Sequence, residues 1–299
     1  GTNSRKEWLF KMKRFLTMLT AAVLLLGTAI MTSCQKSEPS KNGGKSVVAV
    51  SIVPEATFVQ AVCGELADVV TMIPPGSSPE SYEPTPQEME KFSKADVYFA
   101  IGVPTEEANI MPSTKDMNVV KLQDKVAEVY PDRTFEGGER DPHIWLSPKR
   151  AKVMVQTIAD EMSKIDADNK DTYQKNAQDY IAQLDQLDQD IIAALEDVKN
   201  KSFIVYHPAF GYLADDYGLT MVALEEEGKE STPQHLQEVI DYAKEQNIKV
   251  IFYQEEIDSS QSKAFAEELG GKTIQLAPLS PDYIDNLEKM AHTIAEVMQ

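Results

Sequence analysis

Four histidines, His143, His207, His235 and His292, are the only imidazoles in this 299-residue chain, and two of them stand on segments suited to holding a side chain still. His143 lies in Asp141-Pro142-His143-Ile144-Trp145-Leu146-Ser147-Pro148. Ser147 and Pro148 read as the N-cap and first residue of a helix, because proline lacks the N–H that a helix start leaves unpaired. His143 is therefore expected on the loop that feeds a rigid element. His207 sits in Tyr206-His207-Pro208-Ala209-Phe210-Gly211-Tyr212, after an apolar run with the character of a buried strand. A third segment, Gly76-Ser77-Ser78-Pro79-Glu80-Ser81-Tyr82-Glu83-Pro84-Thr85-Pro86, ends in another capped helix start. A loop imidazole is either a metal donor or an ordinary surface residue, and taken alone neither histidine decides between them. His235, in a helix opened by Thr232-Pro233, and His292, in the last helix near Met290, read as solvated. The chain has no Gly-rich phosphate loop, no Gly-x-Ser-x-Gly and no Ser/His/Asp arrangement. Its two tryptophans, Trp8 and Trp145, form no sugar-stacking platform.

The elements that must position these residues alternate in type. Residues 46–53 (SVVAVSIV) form an apolar, β-branched run stopped by Pro54, and an amphipathic helix follows over 55–67. Strands are expected at 69–73, 97–101 and 119–122, with Thr85-Pro86-Gln87-Glu88 a capping box that opens a helix to Ser93. The second half repeats the pattern, with strands at 203–206, 220–224, 249–253 and 273–276 and helices around 208–217, 233–247, 259–269 and 283–298. Strands alternating with helices predict parallel βαβ units covered on both faces. The fold class is therefore α/β, with two Rossmann-like lobes. Between them Tyr173, Ala177, Tyr180, Leu184, Leu187, Ile191, Ala194 and Val198 recur at three- and four-residue steps, uninterrupted by Gly or Pro over 170–200. At 1.5 Å per residue this is roughly 45 Å of helix, either a spine packed along both lobes or half of a coiled coil.

The Tyr-Glu-Pro-Thr-Pro loop, Asp-Pro-His, the long helix and the His207 loop, in this order, resemble the zinc/manganese family of ABC-transporter substrate-binding lipoproteins. The resemblance covers residues 46–299. It implies a rigid spine helix between lobes, small motion on ligand binding, and a metal held by loops at the carboxyl ends of strands, the crevice rule for open α/β sheets. It assigns Glu80, His143 and His207 as the donors. Two imidazoles and a carboxylate suit Zn²⁺, Mn²⁺ or Fe²⁺ and are too rich in nitrogen for Ca²⁺ or Mg²⁺. Two departures from the family pattern stand out. The family's first loop reads Asp-Pro-His-x-Tyr-Glu-Pro-Thr-Pro, so Glu80 occupies a histidine position. The last strand, which in many members ends in Asp-Pro-Leu with the aspartate a fourth donor, is followed here by Ala277-Pro278-Leu279. A fourth donor is then water or an acid of Gln254-Glu255-Glu256, with Glu255 chosen, or Glu255 is only a surface acid near a helix start. Asp141 is either the outer acceptor that fixes the tautomer of His143 or a plain turn residue. The stretch 132–140 is short and lacks histidine, unlike the His-rich loops of many zinc members.

The N-terminal part reads as a secretory leader. Lys11, Lys13 and Arg14 precede the apolar run 15–30, too short to span a membrane comfortably, and Met12 is a plausible start. Met31-Thr32-Ser33-Cys34 resembles a lipobox, with Cys34 the acylated residue; a plain secretory signal is the alternative. The expected organisation is a leader over 1–34, a flexible tether over 35–45, an N-terminal lobe over 46–168, the spine over 169–200 and a C-terminal lobe over 201–299. Cys63 has no partner cysteine beyond Cys34, which leaves no disulfide framework and no thiolate cluster. The formal charge is −19, and the basic leader makes the remainder more acidic still. A polyanionic surface repels nucleic acid and concentrates cations. The reading is a monomeric, lipid-anchored, periplasmic or cell-surface protein that passes a divalent metal, zinc first, to an ABC permease and its ATPase. Two alternatives stay open: a family member that has lost metal and serves as an adhesin, or a non-haem metal enzyme, since two histidines and a carboxylate also serve iron oxygenases.

Overall fold

The structure is a computed structural model that describes residues 44–226, 229–258 and 260–299. The leader, Cys34 and nearly all of the tether lie outside the described residues. The first sheet holds β1 (Ser46–Val50), β2 (Ala67–Thr71), β3 (Val97–Ala100) and β4 (Val119–Lys121), in the spatial order β2-β1-β3-β4 and parallel throughout. Helices α1 (Val53–Cys63), α2 (Pro86–Ser93) and α3 (Leu122–Ala127) belong to the same half. Then come α4 (Pro148–Ile165) and the long α5 (Lys170–Leu195). The second sheet repeats the order as β6-β5-β7-β8, again parallel, from β5 (Ser202–Val205), β6 (Thr220–Ala223), β7 (Val250–Tyr253) and β8 (Lys272–Gln275). Its helices are α6 (Gly211–Asp216), α7 (Pro233–Glu245), α8 (Ser260–Glu268) and α9 (Tyr283–Val297). Two doubly wound α/β lobes with the same strand order match the fold expected from the alternation of strand and helix.

Boundaries differ from the sequence reading where tertiary contacts decide them. The expected strand over 46–53 ends at Val50, because Pro54 lies in the first turn of α1 and starts the helix rather than merely stopping the strand. The strand expected at 69–73 lies at Ala67–Thr71, in register with β1, and Met72 and Ile73 continue as buried backbone donors to Val50 and Ser51. Both anticipated helix starts carry their caps. Thr85 Oγ1 accepts from the N–H of Glu88 at 3.2 Å while Glu88 accepts from the N–H of Thr85 at 2.7 Å. Ser147 Oγ accepts from the N–H of Arg150, which fixes the approach of the His143 loop.

Helix α5 spans 26 residues, shorter than the 170–200 expected from periodicity, or about 39 Å. Its stripe of Tyr173, Ala177, Leu184, Leu187, Ile191 and Leu195 is buried against α1, α4 and α9 of the same chain, which leaves no apolar seam for a coiled coil. Phe58 of α1 ties this junction together, with ring centroids 4.8 Å from Tyr283 and 6.2 Å from Tyr180. Cys63 is a buried free thiol in the same core. Because Leu184 is fully buried where α5 meets its neighbours, Leu184→Ala should destabilise the protein by about 2–5 kcal/mol through lost burial and the cavity left behind. Urea unfolding should show a lower midpoint at an unchanged slope.

Candidate metal centre

Three potential donors come together: Glu80 and His207 lie on loops at the carboxyl ends of strands, as expected, whereas His143 lies on the segment joining α3 to α4. His207 follows β5 directly, at the position where the strand order of the second sheet reverses. Glu80 lies on the loop after β2, and His143 precedes α4. His207 Nε2 stands 3.3 Å from His143 Nε2 and 3.4 Å from Glu80 Oε1. Among the described residues, this is the only group of three such donors within 4.8 Å of one another. Two donors about 2.05 Å from a tetrahedral zinc ion stand roughly 3.3 Å apart, so these two separations fit a hydrogen-bonded pair and an ion pair and also donors to one zinc ion. His143 and His207 are 5% and 4% exposed, while Glu80 is half-buried on the outer side.

Each imidazole is oriented from behind. Asp141 Oδ1 lies 2.7 Å from His143 Nδ1 and also accepts the backbone N–H of His143 at 3.0 Å. Glu225 Oε1 lies 2.7 Å from His207 Nδ1. With Nδ1 so engaged, both rings turn Nε2 toward the other, the arrangement in which a carboxylate fixes the tautomer and raises basicity. Asp141 and Glu225 are 1% and 5% exposed. The His143 loop is also bound to the second half of the chain: Trp145 Nε1 donates to the carbonyl of Pro278 at 2.8 Å, and the hydroxyl of Tyr283 donates to the carbonyl of Trp145. Tyr283 is the first residue of α9, so the helix that packs on the spine also holds the loop.

The Glu80 loop is held from its own lobe. Glu106 takes the N–H groups of Ile101 and Gly102 and the hydroxyl of Ser51 on its carboxylate, and the Thr105 N–H donates to the carbonyl of Pro79 at 3.0 Å. Gly102, at φ +97°, has the left-handed backbone that the tight turn into this carboxylate requires. Burial pushes the Glu106 carboxyl up, against these hydrogen bonds.

Electrostatics knit the donors together. Burial opposes protonation of His207, but hydrogen bonds and charge from Glu225 and Glu80 outweigh it and raise the imidazole to about 9. Burial likewise opposes the charge on Glu80, and His207 outweighs it, leaving that carboxyl below its usual range. Glu80 and Glu225, one at each ring nitrogen, thus favour the charged form of His207.

The other sequence candidates fall elsewhere. Glu255 is exposed and lies outside the three-donor group. Its neighbour Glu256 is half-buried, feels the charge of His207, and is pushed up by burial and by Glu255. Both line a cavity of about 200 Å³ with Ala277 and Leu279 on one side and Ile73 to Ser77 on the other. His235, expected to be solvated, is partly buried, with Nε2 2.9 Å from the carbonyl of Ala223. His292 is exposed near Glu288. The role of Glu225 has no local sequence signal, because its pairing with His207 crosses from β6 to β5, and neither has the buried role of Glu106.

The profile of the family described as zinc-uptake complex component A, periplasmic (ZnuA), matches residues 48–297. The chain belongs to this family. It is 31% identical over 269 residues to the high-affinity zinc uptake system protein ZnuA of Bacillus subtilis, covering 85% of this chain and 84% of that one. It spans about half the length of the zinc-binding proteins AdcA of Streptococcus pyogenes that it matches. A crystal structure of ZnuA superimposes with a TM-score of 0.80 at 33% identity, covering 86% of this chain and all of the other. The laminin-binding protein Lmb of Streptococcus agalactiae, described as having adhesin and metal-transporting activity, superimposes at 0.76 with 25% identity, covering 86% of this chain and all of Lmb. The ZnuA family comprises zinc-binding components of transport systems, so the chain is a binding protein rather than an enzyme.

The pairing of His207 has a sign that can be measured. Its folded-state pKa lies above the unfolded value of 6.5, so its contribution is present in full below about pH 6.5 and is lost as pH rises through about 9. Metal-free protein should lose on the order of 2–3 kcal/mol over that window, read from unfolding midpoints, and His207→Asn should flatten the slope.

Proposed function

We propose that the chain captures Zn²⁺ through Glu80 Oε1, His143 Nε2 and His207 Nε2 and delivers it to an ABC permease. The observation that carries this reading is the donor spacing of 3.3 and 3.4 Å, set by two buried acids behind the imidazoles. Two imidazoles and one carboxylate at low coordination number favour zinc over manganese or iron. Family membership and the zinc-uptake relatives support the same cargo. Glu255 lies outside the donor group, so the fourth position belongs to solvent or to the turning of an acid from the cavity wall. Cys34, after a basic and then apolar leader, is the proposed site of lipid anchoring outside the cytoplasm. Adhesion, a role ascribed to Lmb alongside metal transport, would not require losing this site.

Metal entry completes a charge exchange. Zn²⁺ takes the place of the Nε2 proton of His207 that faces Glu80, which passes to solvent, while Asp141 and Glu225, at the Nδ1 atoms, keep both rings in register. Release reverses this when the lobes separate and the donors part.

Calorimetric titration of residues 35–299 should give one Zn²⁺ per chain, with Mn²⁺ weaker. His143→Ala should weaken zinc binding by more than about 100-fold, since it removes a donor rather than a supporting group. Wild-type protein that binds none of these ions would sink the proposal. Because His207 must shed its proton, zinc affinity should rise about tenfold per pH unit up to about pH 9 and then level off. Glu225→Gln should move that plateau to lower pH.

A further inference from the structure

One side chain joins the segment before His143 to the helix after His207. Arg133 directs Nε toward Asp141 Oδ2 at 3.4 Å and bonds Asp215 Oδ2 through Nη1. Asp141 is the buried acid whose other oxygen holds His143, and Asp215 belongs to α6 in the second lobe. A second link runs beside it. The Arg133 N–H donates to the hydroxyl of Tyr212 at 3.0 Å, and that hydroxyl donates to the carbonyl of Asp141 at 3.0 Å. The guanidinium lies flat on Gly211: a Cβ there would come within 2.5 Å of Arg133 Nε and 2.8 Å of Cζ. Gly211 is not among the glycines of positive φ, so its lack of a side chain serves Arg133 rather than the backbone.

We propose that Arg133 is a positioning residue for the metal, which makes the orientation of His143 depend on the two lobes being together. This rests on reading Glu80, His143 and His207 as the donors. A buried carboxylate with an unpaired oxygen is costly and free to turn, and Arg133 occupies that oxygen of Asp141. A guanidinium is always charged, and its rigid fork can serve two carboxylates at once, which an ammonium does less well. As the second lobe moves away it takes Asp215 and Tyr212 with it. Arg133 then loses Asp215 and Tyr212 and is held beside Asp141 only through their own segment, where the Asp141 N–H donates to the Arg133 carbonyl at 2.9 Å, so His143 is braced less firmly while His207 is being withdrawn. Release of the ion from one lobe thereby weakens its hold on the other.

The test compares the wild-type protein with Arg133→Met, Gly211→Ala and the double variant. Zinc release is followed by stopped flow with a chromophoric chelator, and donor geometry by the visible spectrum of the Co²⁺-loaded protein. Arg133→Met keeps the stem but removes the fork. Gly211→Ala leaves every charge in place and only displaces the guanidinium. Each single variant should release zinc about 10- to 100-fold faster and alter the Co²⁺ bands, the scale typical of groups that orient a ligand. The double variant should be no faster than the faster single one, because both act through the same contact. Wild-type rates and spectra in either single variant, or additive effects in the double, overturn the role of Arg133 while leaving the donor assignment intact. Failure of the wild-type protein to bind either ion overturns both.

Discussion

The site depends on two imidazoles from opposite halves of the chain facing each other at 3.3 Å, each fixed by a carboxylate 2.7 Å behind it. Burying two acids at 1% and 5% exposure is expensive, and a buried pair seldom repays its desolvation in stability alone. What the pairs provide is direction: each ring is held with Nε2 forward by the carboxylate at Nδ1. In the metal-free protein the cost is partly offset by the proton on His207, which sits where acids from both lobes converge. The same proton is what a cation must displace, so folding and binding share one electrostatic site.

The rest of the fold follows from keeping those two nitrogens in register. Both sheets run in the order 2-1-3-4 within their lobes, so each turns its strand carboxyl ends, and the loops that leave them, toward a common crevice. Helix α5 and helix α9 join the lobes behind that crevice, and Thr57 of α1 donates to the carbonyl of Pro281 at 2.7 Å across the same junction. The His143 loop is clamped further by the Trp145–Pro278 bond and by Ser147 Oγ and Arg150, which both reach Asp216 of α6. The loop that carries Glu80 lines a cavity at its start, through Pro74, Pro75, Gly76 and Ser77.

Much of this was legible in the sequence where the signal is local. Thr85-Pro86-Gln87-Glu88 and Ser147-Pro148 announce helix starts by chemistry that acts within four residues, and both are found with their caps. The long helix was legible from its apolar stripe, but its end was not: Val198 continues the pattern and is buried, yet the helix stops at Leu195. Burial follows the core, and periodicity cannot tell a helical turn from a packed loop. The proximity of Glu80, His143 and His207 came from family resemblance, not from spacing, since their separation of 127 residues carries no geometric information. Glu225 was hidden for a related reason. It pairs with His207 across 18 residues, through a parallel strand pairing that no local pattern encodes. Glu106 and Arg133 likewise act through contacts made only once the lobes are assembled.

The two departures from the family pattern make sense together. Where many members place histidine at the first donor and aspartate after the last strand, this chain has Glu80 and Ala277. Each change alone would alter the charge of the donor set, by adding a carboxylate or by removing one. On the proposed donor set, together they keep the number of carboxylates at one and move it from the second lobe to the first. Asp141 and Glu225 stand behind the imidazoles and Arg133 is shared between Asp141 and Asp215, so acids outnumber bases around the three groups and the setting favours a cation. Ala277 contributes only a methyl to the wall of a cavity that Pro74 to Ser77 and Glu255 also line, so the position where the pattern puts an acid offers no carboxylate here.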